Sequence, residues 1–123
     1  MNLIKILEPN FKFADDRGSL VQLVREGFKQ VNVIESNKGA RRGGHYHKEN
    51  VEAFFIVRGK LVLKVWQVGM ISTLEEHEFK QGDFFLISPQ VAHDFEFVED
   101  TLLISMYSNG VELENGDKDI ISI

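Results

Sequence analysis

Turn-forming clusters interrupt this sequence so often that only short runs fit between them. Asp15-Asp16-Arg17-Gly18, Asn37-Lys38-Gly39, Arg58-Gly59-Lys60, Gln81-Gly82-Asp83, Ser88-Pro89 and Asn109-Gly110 are the separators. Between them lie runs rich in β-branched and aromatic residues: Leu20 to Val24, Gln30 to Ile34, Glu52 to Val57, Lys60 to Gln67, Thr73 to Phe79, Asp83 to Ile87, His93 to Phe97 and Thr101 to Tyr107. None carries a helical period of useful length, so the pattern predicts an all-β sandwich or barrel. Ten Phe and only two Pro suit one well-filled β core, and residues 1–123 have room for a single domain.

Composition excludes several classes of function. The chain has no Cys, which removes disulfides, thiolate metal sites and a thiol nucleophile. No apolar run approaches the roughly 20 residues that span a bilayer. The N-terminus, MNLIKILEPN, lacks the long apolar core and small-residue cleavage site of a signal peptide, so a cytoplasmic location is expected. A formal net charge of -5 argues against general binding to nucleic acid or an anionic membrane. A small anionic substrate needs only a local basic cluster.

Strand parity suggests which side chains share a face. His93 lies with Phe95 and Phe97, which predicts an inward-facing imidazole, while Asp94 and Glu96 point outward. Leu103, Ser105 and Tyr107 share one face of their strand and Leu102, Ile104 and Met106 the other. The first row suits a barrel with a wet interior.

The stretch from Gly39 to Gly59 carries the chemistry. His45 and His47 are two apart, so on a strand they project to one face about 7 Å apart and can converge on one ion at roughly 2.0–2.2 Å from each nitrogen. Glu52 follows His47 by five, an odd offset that would face the other way on a flat strand. It joins them only if Lys48-Glu49-Asn50 turns the chain. With His93, these residues form a nitrogen and oxygen shell suited to Zn, Fe, Mn or Ni, with no preference among them. A bare His-x-His pair is common in loops, and a single His on an apolar face is most often a hydrogen-bonded core residue.

The complete spacing is more specific. Gly39, His45, His47, Glu52 and Gly59 match the first motif of the cupin superfamily at every fixed position. The second motif resembles Gly82 to His93 in overall length, but Pro89 sits one place late, Val91 stands where Gly is usual and Phe97 replaces Asn. The resemblance implies a jelly-roll cupin barrel around a central pocket, with His45, His47, Glu52 and His93 as a metal site. Some relatives keep the histidines for acid–base work without a metal.

Two further elements narrow the resemblance. Asp15-Asp16-Arg17-Gly18 resembles the Asp-x-Arg-Gly element of dTDP-sugar 3,5-epimerases and 3,4-ketoisomerases, and Arg42-Gly43-Gly44-His45-Tyr46-His47-Lys48 resembles an element of the ketoisomerases. Glu52 departs from the Gln usual there and is similar to the C-terminal cupin of a capsular-polysaccharide epimerase and reductase. The implied activity is isomerisation or epimerisation of a nucleotide-linked 4-keto-6-deoxy sugar in polysaccharide or glycoside synthesis, with no organic cofactor. His45 is the implied base when no metal is bound, and Tyr107 a candidate when one is. Arg17, Arg41, Arg42 and Lys48 are candidates for a diphosphate, since guanidinium forks bind phosphate oxygens in pairs. Relatives of this kind are homodimers, and the segment Leu3 to Leu7 could add a strand to a neighbouring subunit. An iron dioxygenase with the same ligands, or a sugar-binding module without catalysis, are the competing readings. His77, in a charged segment, reads as surface.

Overall fold

A computed structural model describes residues 2–123. The strands are β1 (Ile4–Ile6), β2 (Phe11–Asp15), β3 (Gly18–Gln22), β4 (Gln30–Ser36), β5 (Arg41–Tyr46), β6 (Glu52–Arg58), β7 (Lys60–Gln67), β8 (Met70–Lys80), β9 (Phe84–Ile87), β10 (Val91–Phe97), β11 (Thr101–Tyr107) and β12 (Ile121–Ser122). No helix long and apolar enough to cross a membrane occurs among the described residues.

Two five-stranded antiparallel sheets form, in the orders β1-β9-β6-β11-β4 and β12-β5-β10-β7-β8, and β2 and β3 make a separate hairpin. From β5 onward the chain crosses repeatedly between the sheets, which gives the expected jelly-roll. Alternation drives this: Leu61, Leu63 and Val65 of β7 point inward with no exposed surface. They meet Phe54, Ile56, Phe79, Phe85, Phe95 and Phe97 in the space between the sheets. Phe79 stacks on Phe85 at 3.9 Å between ring centroids, and Phe85 on Phe54 at 5.3 Å. Burying each such ring contributes about 1.5–3 kcal/mol, which explains the heavy use of Phe.

The first sheet is apolar on both faces. Ala53, Phe84 and Met106 are buried on its outer side beneath Leu7, Leu23, Val24 and Phe28. Leu23 and Val24, expected to end a strand, instead leave the β2–β3 hairpin to cover this face. The hairpin itself keeps Phe11, Phe13, Leu20 and Val21 exposed. The N-terminal segment pairs within its own chain, Ile4 opposite Ile87 and Ile6 opposite Phe85.

The residue in left-handed conformation at the second motif is Gln90, at φ 65°. Val91 opens β10 and is buried. The Gln90 turn is held by its N–H donating to the His47 carbonyl at 2.7 Å, which ties the two motifs together.

Candidate active site

Arg42 and His45 are three apart, so a regular strand would send them to opposite faces. A bulge brings both to the same cavity. His93 pairs with His45, but the next residue, Asp94, pairs with Gly43, leaving Gly44 unmatched. Gly43 and Gly44 hold φ values of 109° and 71°. A β-carbon on Gly43 would stand 2.6 Å from the His93 carbonyl oxygen, so only glycine allows the strands this close. Arg42 is fixed in turn, Nε donating to Ser36 Oγ at 2.8 Å and Nη2 to the Glu35 carbonyl at 3.0 Å.

His47 lies just past β5, and the chain bends at Lys48 and Glu49 before β6 begins at Glu52. That bend cancels the odd offset. Glu52 Oε1 lies 3.0 Å from His47 Nε2 and 3.8 Å from His93 Nε2. The bend is stabilised from the far end of the chain: the Asp119 carboxylate accepts from the backbone N–H groups of Lys48, Glu49 and Asn50 and from the Asn50 side chain.

The three imidazoles form one cluster. One nitrogen from each of His45, His47 and His93 lies within 4.8 Å of the other two. His45 Nε2 and His93 Nε2 are 3.2 Å apart, and Glu52 stands against His47 and His93. Backbone carbonyls anchor the other sides of the rings. His47 Nδ1 donates to Asp119 and His93 Nδ1 to Val91, while the Gly43 carbonyl faces the His45 ring. With Nδ1 carrying the proton, a neutral His47 or His93 turns an Nε2 lone pair into the cluster. A proton or a cation is what such converging acceptors lack, so the donor set fits a divalent metal held by His45, His47, His93 and Glu52.

Burial shapes the electrostatics. His93, 1% exposed, is pushed down to about 3 by burial and by the neighbouring His45 and His47 rings, and is neutral at pH 7. His45, half-buried, is held below the ordinary imidazole value by burial and by His47. Burial would lower His47 as well, but the hydrogen bonds to Glu52 and to Asp119 outweigh it and raise the ring. Burial raises Glu52 despite its bonds to His47, Tyr107 and Ser105. Tyr107 is raised by burial and by the Glu52 charge, so its phenol stays protonated.

A cavity of about 380 Å³ lies between the sheets beside this cluster. His45, Glu52, His93, Tyr107, Arg41 and Arg42 line it, with Ile34, Phe54, Phe95, Phe97 and Leu103 as its apolar wall. His47 stands behind them. Arg41 reaches Glu96 at 3.5 Å and Asp94 at 4.0 Å. Arg17 is elsewhere, at the turn of the β2–β3 hairpin and paired with Asp15 at 2.6 Å. Lys48 contributes through its backbone, the N–H donating to Asp119 and the carbonyl accepting from Gln90 Nε2. His77 packs on Phe79 and bonds Glu75 on β8, outside the cluster. Sequence reasoning missed Asp119, Asn50, Ser36 and Asn32. The inward Asn32 donates to Ser105 Oγ at 3.3 Å and extends the polar row of β11. The strict alternation of β4 was the signal for Asn32, whereas nothing local marks Asp119.

Comparison with known proteins agrees with this architecture. The TDP-quinovose 3,4-ketoisomerase of Campylobacter jejuni superposes with a TM-score of 0.80 at 18% identity, covering 100% of this chain and 95% of that one. A mutant 3,4-ketoisomerase of Thermoanaerobacterium thermosaccharolyticum, in complex with TDP-4-keto-6-deoxyglucose, gives 0.75 at 21% identity over 100% and 89%. The dTDP-4-dehydrorhamnose 3,5-epimerase of Sulfolobus tokodaii gives 0.67 at 19% over 86% and 75%. These likenesses are of fold, the cupin jelly-roll. No curated protein matches the chain. The family model for the polysaccharide biosynthesis C-terminal domain matches residues 13–119. With nearly its whole length accounted for by that match, the chain belongs to the polysaccharide biosynthesis C-terminal domain family.

Proposed function

We propose that this protein isomerises or epimerises a nucleotide-linked 4-keto-6-deoxy sugar in polysaccharide or glycoside synthesis, by moving a proton next to the ketone. The observation that carries the reading is His45: a half-buried imidazole on the cavity wall whose surroundings keep it neutral at pH 7, three residues from an immobilised Arg42. The fold relatives that act on such sugars support the substrate class.

A 4-ketone acidifies the protons at C3 and C5. His45 removes one as general base, and the developing enolate oxygen needs a donor. Tyr107, kept protonated on the same cavity, supplies an O–H that rests on Glu52. Transfer of the O3 hydroxyl proton to O4 with return of the carbon-bound proton to C4 gives the 3-ketone, and return to the other face of the original carbon gives the epimer. Arg42 offers its remaining guanidinium N–H groups to the diphosphate, with Arg41 as second cation at the rim. The apolar wall of Phe95 and Phe97 suits a methyl group at C6. Nucleotide sugars are made in the cytoplasm, which is where this activity belongs.

A metal-bound form is the second reading, and the donor set favours it: three rings braced on backbone carbonyls with a carboxylate against two of them. Zn, Fe, Mn or Ni would supply a Lewis acid for the substrate oxygen. His45 would then be a ligand, and Tyr107, which keeps its O–H, the group left to hand a proton to the sugar.

The functional unit in this reading is a homodimer. Val31 and Val33 of β4, 60% and 71% exposed, and Phe11, Phe13 and Leu20 of the hairpin present apolar surface to water. A second copy covering this surface would bury what water now contacts.

The test is solvent exchange. In D2O with dTDP-4-keto-6-deoxyglucose, proton NMR should show deuterium entering at the carbon next to the ketone, faster than in the protein-free control. Binding of that sugar without exchange or conversion would refute catalysis and leave a sugar-binding module. Conversion that consumes oxygen and stops in oxygen-free buffer would point to a dioxygenase instead.

A further inference from the structure

The C-terminal segment holds the most heavily bonded carboxylate among the described residues, and the reaction proposed above makes no use of it. Asp119 is 3% exposed. Its Oδ1 accepts from the Lys48 N–H at 2.7 Å, and its Oδ2 from the N–H groups of Glu49 and Asn50 at 3.0 and 2.9 Å and from Asn50 Nδ2 at 2.8 Å. Its own N–H donates to the Val111 carbonyl at 2.8 Å, and its carbonyl accepts from His47 Nδ1. Two residues on, β12 pairs with β5, Ile121 opposite Tyr46 and Ser122 opposite His45. The tail thus brackets the His45–His47 segment on both sides.

We infer that Asp119 is a positioning residue that sets the orientation of His47 and brings Glu52 into the histidine cluster. Two bonds do different work. The carboxylate gathers three successive backbone N–H groups, an anion-filled nest that fixes the bend from residue 48 to 50. Without that bend Glu52 would leave β6 on the wrong face, because its offset from His47 is odd. The carbonyl accepts only, so it holds a proton on His47 Nδ1 and aims Nε2 at the other two rings and at Glu52, with which Nε2 shares a hydrogen bond. Asn50, 1% exposed, extends the clasp: its Oδ1 accepts from the N–H groups of Asn109 and Gly110. The arrangement holds whether the cluster takes a proton or a metal, so the inference stands apart from the reaction proposed above.

The experiment needs neither substrate nor metal. Two-bond 1H–15N NMR of the histidine rings in the intact, metal-free protein at about pH 9, where ordinary imidazoles are neutral, should show a proton on His47 Nδ1. A His47 with no proton on Nδ1 in the unmodified protein overturns the inference with no variant made. Asp119→Ala keeps the carbonyl but releases the clasp that holds the tail against residues 48–50, so the carbonyl should lose its alignment with the ring and His47 should become a mixture of tautomers while His93 keeps its own pattern. Amide exchange at residues 48–50 should rise about 10- to 100-fold, the loss expected for hydrogen bonds to a charged group. Amides of Leu63 and Phe85 should keep their protection, which separates loss of positioning from loss of fold. If Asp119→Ala does not fold, Asp119→Asn keeps the volume while placing an NH2 against the N–H donors, and the same changes are expected. An unaltered His47 tautomer with unaltered exchange at residues 48–50 in either folded variant refutes the role.

Discussion

The Nε2 atoms of His45 and His93 lie 3.2 Å apart across the β5–β10 pair, joining two motifs that are 48 residues apart in the sequence. Both rings line the cavity, but His93 is 1% exposed while His45 is half-buried. His45 therefore offers a substrate the more accessible of the two rings. His45→Ala should lower turnover about 10²- to 10⁴-fold, the usual worth of a general base, and shift the melting temperature little because the ring is only half-buried. Steady-state kinetics and a thermal melt on the same preparation check both halves.

The His45 surroundings also fix a pH profile. Its imidazole sits below the ordinary value of 6.5, so the base is already deprotonated at neutral pH. The rate for the free enzyme, kcat/KM, should be flat above that value and fall only below it, with a limb of unit slope. A limb centred above pH 7 would assign the proton transfer to another group.

His93 makes the metal-free protein sensitive to acid. Its folded value is near 3 against 6.5 when unfolded, so below pH 6.5 the unfolded chain binds a proton that the folded one refuses. This contribution is full above pH 6.5 and is lost as pH falls toward 3, at up to about 1.4 kcal/mol per pH unit. Denaturant titrations from pH 7 to 4 should show a shallower decline in His93→Leu than in the unmodified protein.

Glu52→Gln separates the two readings of the cluster. The amide keeps the shape but weakens a metal shell, so dialysis against Zn2+ should show affinity reduced at least about tenfold, within the range seen for altered metal surroundings. Deuterium exchange into the sugar should persist in that variant if His45 is the base, and collapse with the metal if it is a ligand.

Gly43→Ala tests the bulge. The added β-carbon meets the His93 carbonyl oxygen at 2.6 Å in a backbone conformation with φ of 109°, and should destabilise the fold by about 1–3 kcal/mol from backbone strain alone. Gly44→Ala has a positive φ but open space around it, so its cost in the same melts should be smaller.

Val33→Glu tests the assembly. A charge on the exposed row of β4 should turn a dimer into a monomer in sedimentation velocity, with the barrel still folded by circular dichroism. A monomeric parent protein would remove the dimer from the proposal.

Short β runs between frequent turns were enough to predict an all-β sandwich or barrel, because a strand with two apolar faces or strict alternation needs no distant information to be recognised; the jelly-roll itself was implied by the resemblance of the histidine motifs. The inward parity of His93 and of Leu103, Ser105 and Tyr107 followed from the period of a strand alone, and the structure agrees. The position of Glu52 was legible only as a condition, that residues 48 to 50 turn. What satisfies the condition is Asp119, about 70 residues away, and a long-range hydrogen bond leaves no trace in local sequence. Arg42 likewise faces the cavity because a two-glycine bulge reverses parity, and β5 accepts that bulge only through its register with β10. Periodicity is a property of neighbouring residues and could be read directly; the placement of charge and lone pairs in the site depends on which strands meet, and that was decided by tertiary packing.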